Sequence, residues 1–355
     1  MAITIESFGR AANGNEINLY SITNQNGAVL KVSDMGAVWV SMIVPDKDGN
    51  MTDVVLGYES GMDYEKNKWS GMGAIIGRNA NRIGGYRFTL NGKEYILANN
   101  ARGDNLHSGP DLYISRLWKA EPVTTELGEG IEFSLFSPHM DQGFPGNLNL
   151  TVSYILTEDN SVIIEYSGMS DMDTIVNLTN HAYFNLAGQG NGTIEDELLW
   201  IDADYYTRSE NGKVTTGELY TVEGTPMDFR QLKRIRDGLE SGFETIKKAE
   251  GYDHNYCLKT DCTDAELVAK LVDEKSGIVM DVFTNLPGMQ LYTGNYLWPE
   301  GKAKYGKKYT KKSGIALETQ FYPDAINHPN FPSPIVKANE TFSYSTIYAF
   351  SVVED

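Results

Sequence analysis

The chain has 355 residues and a formal net charge of −18, with 41% hydrophobic and 22% charged residues. This composition is typical of an ordinary folded domain. The acidic balance argues against nucleic-acid partners and anionic membrane surfaces, because both are bound largely through Lys and Arg. At about 150 residues per domain the length would allow two domains, although large β-sandwiches can reach this size as one.

The cysteines and the first residues indicate a cytoplasmic protein. Cys257 and Cys262 are the only cysteines, which is too few for a disulfide framework in a chain of this length. They also lack the companions that a four-ligand zinc site needs. The segment from Met1 to Glu6 shows neither the basic nor the apolar region of a signal peptide. No run of about 18 apolar residues occurs, so we expect no membrane-spanning helix.

Most of the chain alternates between apolar and polar residues, which predicts half-buried β-strands. Residues 86–97 predict a hairpin, because Asn91-Gly92 at the centre supplies the positive φ angles of a two-residue turn. Further strands are predicted within residues 131–136, 149–166 and 277–283. Helical patterns are confined to residues 229–239 and 243–249. We therefore predict an all-β, antiparallel fold with a few short helices and no linker between two halves.

Two segments begin like cofactor or metal motifs and then depart from them. Residues 71–77 carry one residue too many between the second and third glycines of a dinucleotide fingerprint. Residues 46–57 start like a calcium loop, but Met51 stands where the loop needs Gly, and Gly57 stands where it needs Glu. We therefore expect no cofactor and no metal.

Six lysines lie close together within residues 302–312. A run of like charges is usually solvated, so we expect a surface loop between strands. The alternative is a mobile lid that contacts a ligand.

The densest polar segment is residues 177–186, which contain one of the five histidines. In a strand, alternate side chains project from one face; here these would be Asn177, Thr179, His181, Tyr183 and Asn185. A row of amides and hydroxyls around an imidazole suits a ligand that is rich in hydroxyl groups. The alternative is a histidine whose hydrogen bonds are satisfied by neighbouring backbone.

Four other segments concentrate polar side chains: residues 77–84, 99–109, 252–256 and 314–320. The last predicts a short apolar strand that delivers a carboxylate, Glu318. Each segment is weak evidence alone, because Arg82 or Asp253 by itself would more often belong to a surface ion pair.

Together, seven ordered motifs in the chain resemble the aldose 1-epimerases, also called galactose mutarotases. The residues that carry the resemblance are Gly77-Arg78-x-Ala80-Asn81-Arg82-Ile83, Asn105-Leu106-His107, Gly143-Phe144-Pro145-Gly146, Thr179-Asn180-His181-x-Tyr183-Phe184-Asn185, Asp253-His254-Asn255-Tyr256, Gln290-Leu291-Tyr292-Thr293-Gly294-Asn295 and Leu317-Glu318-Thr319-Gln320. The resemblance runs from about residue 15 to residue 350. It implies a galactose mutarotase-like β-supersandwich, with residues 1–355 as a single large antiparallel domain and a sugar bound in an open cleft.

The resemblance also implies a role for individual residues. Glu318 matches the family's general base and His181 its general acid, while His107 matches a second histidine near the ring oxygen of the sugar. The other matched residues hold hydroxyl groups or line the site: Asn81, Arg82, Tyr183, Asp253 and Gln290. One departure lies beside His107, where Ser108-Gly109 replaces the two glycines usual in the family. We expect a loop of different shape there, which leaves the preferred sugar open.

These residue types suit the interconversion of α and β anomers through the open-chain aldehyde. A carboxylate can take the proton of the C1 hydroxyl, and an imidazolium can protonate the ring oxygen. The reaction requires no metal, nucleotide or covalent intermediate. We expect a small sugar as the partner, no nucleic acid or membrane, and a monomer or homodimer.

Three alternatives stay open at this point. A glycosidase could use Asp253 and Glu318 as its carboxylate pair, although the histidine strand would then lack a role. A non-catalytic carbohydrate-binding β-sandwich would bind sugar without exchanging its anomers. A relative that acts on a phosphorylated sugar would need a basic pocket, for which residues 302–312 are the candidate.

Overall fold

Antiparallel strands are the main regular structure of the protein in the computed structural model, which describes residues 2–209, 214–297 and 302–353. The first strands, numbered in chain order, are β1 (Ala2–Arg10), β2 (Glu16–Thr23), β3 (Val29–Ser33), β4 (Val38–Pro45), β5 (Met51–Asp53), β6 (Ile75–Ile76), β7 (Arg82–Ile83), β8 (Arg87–Leu90), β9 (Lys93–Ile96), β10 (Asn105–Leu106), β11 (Lys119–Thr124), β12 (Gly128–Ser137), β13 (Leu148–Thr157) and β14 (Ser161–Ser170). The later strands are β15 (Thr174–Ile175), β16 (Thr179–Asn180), β17 (Leu198–Ile201), β18 (Ala203–Ser209), β19 (Thr215–Thr221), β20 (Lys233–Arg234), β21 (Asp253–Leu258), β22 (Glu266–Val272), β23 (Ile278–Thr284), β24 (Gly288–Tyr292), β25 (Ala316–Gln320), β26 (Ile335–Val336) and β27 (Thr341–Val352). The prediction of an all-β antiparallel fold is confirmed.

The α-helices are short: α1 (Gly61–Lys66), α2 (Ile235–Leu239) and α3 (Glu244–Lys248). The helix predicted over residues 229–239 is wrong in its first half. Lys233–Arg234 instead pairs with β17 as strand β20, and the side chain of Asp228 accepts a hydrogen bond from the Arg230 amide in a local turn. Among the described residues, no helix has the length and apolar character needed to span a membrane.

The predicted hairpins are confirmed. Strands β8 and β9 pair around Asn91 and Gly92, whose φ angles of 51° and 76° are those that the two-residue turn requires. Strands β13 and β14 pair along their length, from Leu148 opposite Ser170 to Leu156 opposite Val162.

Three larger sheets form within the described residues. A nine-stranded sheet has the order β11-β12-β13-β14-β27-β23-β22-β17-β20. One five-stranded sheet has the order β1-β2-β3-β4-β5, and the other has the order β19-β18-β21-β24-β25. Both five-stranded sheets pack against the nine-stranded sheet through residues of the interior.

The layers meet in one large hydrophobic cluster that draws residues from Tyr20 to Phe350. In the first five-stranded sheet, Trp39 packs edge-on against Tyr348 of β27, with ring centroids 5.4 Å apart. In the second, the backbone carbonyl of Leu317 accepts a hydrogen bond of 3.0 Å from the Tyr348 hydroxyl. This double-layered arrangement confirms the predicted β-supersandwich. A single domain over residues 1–355 stays a prediction, which the extent of this cluster favours.

Candidate functional site

The outer face of strands β21, β24 and β25 carries the carboxyl and amide groups of the site. Alternation along each strand sends Leu291 and Leu317 into the core and Gln290 and Glu318 to the opposite face. Gln290 pairs with Glu318 on one side and with Asn255 on the other, so a polar row crosses the three strands. The apolar strand predicted to deliver Glu318 is confirmed as β25.

A cleft of ≈ 710 Å³ lies over this face, within the size range of small-molecule sites. The structure places all eight predicted site residues around it: Asn81, Arg82, His107, His181, Tyr183, Asp253, Gln290 and Glu318. They come from six separate segments of the chain, which the sheets bring together. Their individual roles stay predictions.

The proposed acid and base meet at the bottom of the cleft. His181 Nε2 lies 3.6 Å from Glu318 Oε1, and the two residues are only 6% and 2% exposed. Within the described part of the chain, His181 Nδ1 and Glu318 Oε2 are buried atoms with no hydrogen-bond partner. The pair can therefore still accept and donate hydrogen bonds from and to a bound molecule.

Burial shifts both groups toward their neutral forms. It raises the pKa of the Glu318 carboxyl well above its usual value, and the nearby Asp253 carboxylate adds to the shift. Burial also lowers the pKa of His181 to about 4. Both shifts favour the arrangement in which Glu318 holds its proton and His181 is neutral.

His107 is held in a defined tautomer by Asn81. The backbone N–H of Asn81 donates a hydrogen bond of 3.1 Å to His107 Nδ1. The backbone carbonyl of Asn81 accepts one of 2.9 Å from the backbone N–H of His107. Because Nδ1 is an acceptor, a neutral His107 carries its proton on Nε2. Burial, with His181 and Arg82 nearby, lowers the pKa of His107 well below its usual value. His107 is therefore a neutral donor, with its ring centroid 5.7 Å from that of His181.

Asp253 and Arg82 are fixed by neighbours on either side of the cleft. Gln290 Nε2 donates a hydrogen bond of 2.6 Å to Asp253 Oδ1. Arg82 lies 3.7 Å from Asp104 through its Nη1 atom and stays partly exposed. Burial raises the pKa of Asp253, while the bond from Gln290 and the charge of Arg82 oppose that rise. The arrangement presents a carboxylate and a guanidinium to the same cleft, which suits neighbouring hydroxyl groups.

The regular polar strand predicted over residues 177–186 is wrong, because only Thr179–Asn180 forms a strand there. His181 and Tyr183 do share the cleft, with ring centroids 4.9 Å apart. Asn177 and Asn185 instead bond to the backbone, at Phe321 and Ser313 respectively. Backbone groups in irregular loops need hydrogen-bond partners, and the side-chain amides of Asn177 and Asn185 supply them.

Tyr292 and Trp69 also line the cleft, although sequence reasoning assigned them no role. The Tyr292 ring centroid lies 6.3 Å from that of His181. Two-residue alternation from Gln290 along β24 could have placed it on the same face. Trp69 is 59% exposed at the rim. It comes from a single 3-10 turn, Lys68–Ser70, and no periodic signal points to it.

The loop that departs from the family pattern is built around Ser108. Its φ is 60°, a conformation in which glycine is unstrained and serine is not. The Ser108 hydroxyl accepts a hydrogen bond of 2.8 Å from the Asn79 amide and donates one of 3.1 Å to the Asn79 carbonyl. These two bonds hold the strained residue in place beside His107.

The lysine-rich segment is not simply a solvated loop. Lys304 is buried, and its Nζ lies 2.7 Å from Asp53 Oδ2. Lys311 forms an ion pair with Glu250 at the cleft rim. Among the described residues that line the cleft, none is a lysine of this segment. The basic pocket that a phosphorylated sugar would need is therefore not formed by it.

The described residues contain no cluster of metal ligands, and both cysteines are free. Within residues 2–209, 214–297 and 302–353, no three His, Cys, Asp or Glu side chains come together as metal ligands. Cys257 and Cys262 are free, the first buried and the second exposed.

Comparisons with known proteins agree with this arrangement. The family described as aldose 1-epimerase matches residues 18–349. Galactose mutarotase of Bos taurus is 39% identical over 317 residues, covering 89% of each chain, and aldose 1-epimerase of Escherichia coli is 34% identical over 343 residues, covering 96% of this chain and 97% of its own. Among solved structures, galactose 1-epimerase from Lactobacillus acidophilus superposes with a TM-score of 0.87 at 26% identity, covering 99% of each chain. An aldose epimerase homologue from C. elegans superposes with a TM-score of 0.85 at 27% identity, covering 95% of this chain and 99% of its own.

Proposed function

The chain belongs to the aldose 1-epimerase family of carbohydrate isomerases, and from this premise we propose that it interconverts the α and β anomers of free aldohexoses such as galactose and glucose. The observation that carries the proposal is the buried His181–Glu318 contact of 3.6 Å at the bottom of an open cleft, with one unpartnered atom on each side chain among the described residues.

The proposed mechanism uses these two groups in sequence. Glu318 takes the proton of the C1 hydroxyl while His181 donates a proton to the ring oxygen, and the C1–O5 bond opens. Rotation about C1–C2 presents the other face of the aldehyde. His181 then takes its proton back, Glu318 returns its own, and the ring closes as the other anomer. The enzyme ends in the protonation state in which it began.

The protonation of the pair fits this order of steps when the bound sugar causes one proton to move from Glu318 to His181. Burial favours a neutral pair, with the proton on Glu318, whereas the reaction starts with the proton on His181. Both arrangements carry one proton, so the shift between them changes no net charge. A sugar hydroxyl that donates to Glu318 Oε2 would stabilise the carboxylate and favour the second arrangement.

The remaining residues would hold the sugar while C1 turns. Asp253 can accept from two hydroxyls, Arg82 can donate through its fork, and His107 can donate through Nε2. Asn81, Gln290 and Tyr183 complete the proposed set. The Tyr183 hydroxyl already donates to the Ser70 carbonyl at 3.1 Å, so the ring acts mainly as a fixed wall.

Polarimetry on freshly dissolved α-galactose and α-glucose tests the proposal. We expect the optical rotation to reach its equilibrium value faster in proportion to the protein concentration, and a panel of free aldoses would rank the preferred substrates. Sugar binding without acceleration would favour the non-catalytic binding module. Release of reducing sugar from a galactoside would favour the glycosidase, and preference for glucose 6-phosphate over glucose would favour a phosphosugar enzyme.

Location and assembly stay predictions. We propose a cytoplasmic monomer or homodimer, supported by the two free thiols. Sedimentation of the purified chain would decide between one copy and two.

A further inference from the structure

A small polar annex opens beside the cleft. Its volume is ≈ 30 Å³, which exceeds the roughly 10–15 Å³ that one water molecule needs. Four of the predicted site residues line both the cleft and the annex: Asn81, Arg82, Asp253 and Gln290. Thr207 and Asn255 line the annex alone. The annex therefore adjoins the part of the cleft where these four residues lie.

Asn255 is a buried amide without a hydrogen bond. It is 2% exposed, and neither its Nδ2 nor its Oδ1 atom has a partner among the described residues. On the neighbouring strand, a Cβ at Gly288 would lie 2.7 Å from Asn255 Oδ1. Because Gly288 has no side chain, the Asn255 amide fits beside it. A buried polar group left unpaired is destabilising, so a partner is expected.

Gln290 has a matching unsatisfied atom. Its Nε2 donates to Asp253 Oδ1 at 2.6 Å, and this fixes the orientation of the amide, because the flipped form would set two oxygens against each other. Its Oε1 atom is then left without a partner in the described structure. Asn255 and Gln290 are direct cross-strand neighbours, and both residues line the annex.

We propose that the annex holds one ordered water that bridges Asn255 and Gln290, and that Asn255 is thereby a positioning residue for the Gln290–Asp253 pair. The water would donate to Gln290 Oε1 and exchange hydrogen bonds with the Asn255 amide. Water-mediated bonds of this kind are nearly as favourable as direct ones. This inference rests on the proposed function, because its consequence is in sugar binding.

The consequence follows from what Gln290 does for Asp253. Without the bridge, Gln290 can rotate, and Asp253 then loses the bond that fixes its carboxylate. Asp253 holds the sugar in the ground state and the transition state alike, so the loss should raise KM and leave kcat nearly unchanged. A purely structural role for Asn255 would lower stability without this separation of KM from kcat.

The test compares Asn255→Leu, which keeps the size of the side chain, with Asn255→Ser, which keeps a donor and an acceptor. We expect KM for α-galactose to rise about five-fold in the leucine variant, with kcat within about two-fold of the wild type. The KM of the serine variant should lie between those of the wild type and the leucine variant. The matched control is Asn24→Ala, because Asn24 is a buried amide with every polar atom bonded, far from the cleft; it should lower stability and leave KM unchanged.

A high-resolution crystal structure of the wild type gives an independent readout. An ordered water bonded to Asn255 and Gln290 supports the proposal, and this result stands even if the chain shows no mutarotation. A folded leucine variant with unchanged KM, or an annex without that water, would overturn it. A sugar hydroxyl in the annex of a soaked crystal would also overturn it, and would make Asn255 a direct ligand. If the leucine variant does not fold, the serine variant and the crystal structure decide.

Discussion

Two buried pairs of a basic and an acidic side chain show how the same chain uses such pairs for stability and for the proposed chemistry. The Lys304 ammonium is satisfied completely: it lies 2.6 Å from the Val40 carbonyl, 2.8 Å from Ser41 Oγ, 2.7 Å from Asp53 Oδ2 and 2.8 Å from the Val55 carbonyl. Burial of a charge is destabilising unless it is paired and hydrogen-bonded in this way. This pair ties the lysine-rich segment to the first five-stranded sheet.

The His181–Glu318 pair has the opposite character. Its 3.6 Å contact is longer than a hydrogen bond, and one polar atom on each residue lacks a partner in the described structure. Both groups are shifted toward their neutral forms by burial. The difference teaches that burial alone does not mark a functional pair. Incomplete satisfaction at the bottom of a cleft supports the proposed role of this pair, since it leaves bonds for a substrate to make.

The largest effect is expected from Glu318→Gln, which keeps the shape of the side chain and removes the base. An amide cannot accept the C1 proton, so we expect the mutarotation rate to fall by about 10²–10⁴-fold. His181→Asn should lose activity to a similar degree, because the ring oxygen then lacks its proton donor. Polarimetry with circular dichroism as the folding control measures both. A near-normal rate in folded Glu318→Gln protein would remove Glu318 from the mechanism.

Lys304→Met should lower the stability of the protein and leave its mutarotation rate unchanged, which is the reverse of the effect expected for Glu318→Gln. It leaves the buried Asp53 carboxylate without its counter-charge, which typically lowers the free energy of unfolding by about 3–5 kcal/mol. The rate constant of the molecules that remain folded should be unchanged, because Lys304 does not line the cleft. Urea unfolding measures the first effect and polarimetry at low temperature the second.

Lys119→Met is the control for this experiment. Its ion pair with Glu121 is exposed to solvent, so little change in stability is expected. Equal destabilisation by both substitutions would mean that the Lys304 pair is not special.

The stability of Glu318→Gln sharpens the contrast with Lys304→Met. The difference in the free energy of unfolding between Glu318→Gln and the wild type depends on pH. The folded pKa of Glu318 lies well above its unfolded value of about 4.5, so the unfolded chain releases this proton first as the pH rises. Glu318 therefore lowers the stability of the wild type progressively from about pH 4.5 upward. The glutamine variant should gain about 1.4 kcal/mol over the wild type for each unit by which the folded pKa is raised. Thermal unfolding across this pH range checks the trend, and a variant less stable than the wild type at neutral pH would contradict it.

The sequence predicted the strands well, and for a physical reason, whereas the residues of the cleft were predicted from the resemblance to the family. Two-residue alternation is a local property, so β25 with Glu318 and the hairpin around Asn91 could be read directly from the chain. The irregular path of residues 177–186 could not, because its form depends on amides that bond to distant loops such as Ser313. The burial of Lys304 was missed for the same reason, because it depends on three partners in a remote sheet and on Val55 just after that sheet's last strand.

Local residue types also failed where tertiary pairing replaced helical preference. Residues 229–234 carry a helical pattern, yet Lys233–Arg234 joins the edge of the nine-stranded sheet beside Leu198 and Leu199. The polar environment behind Gln290 was equally invisible in the sequence, because it depends on the register of β21 against β24.

The smallest effect is expected at Ser108, a polar group that is satisfied completely although it adjoins the site. Ser108→Ala removes both hydrogen bonds to Asn79 and keeps the strained φ of 60°, so the free energy of unfolding should fall by about 1–3 kcal/mol. Ser108→Gly loses the same bonds but relieves the strain, which offsets about 1 kcal/mol of that loss. Catalysis should persist in both, because Asn81 still holds His107 through two bonds of its own. Urea unfolding should therefore rank the wild type above glycine and glycine above alanine, with similar mutarotation rates. A large loss of rate in the glycine variant would show that Ser108 acts on catalysis, and the distinction between satisfied and unsatisfied buried groups would then not separate structure from function in this loop.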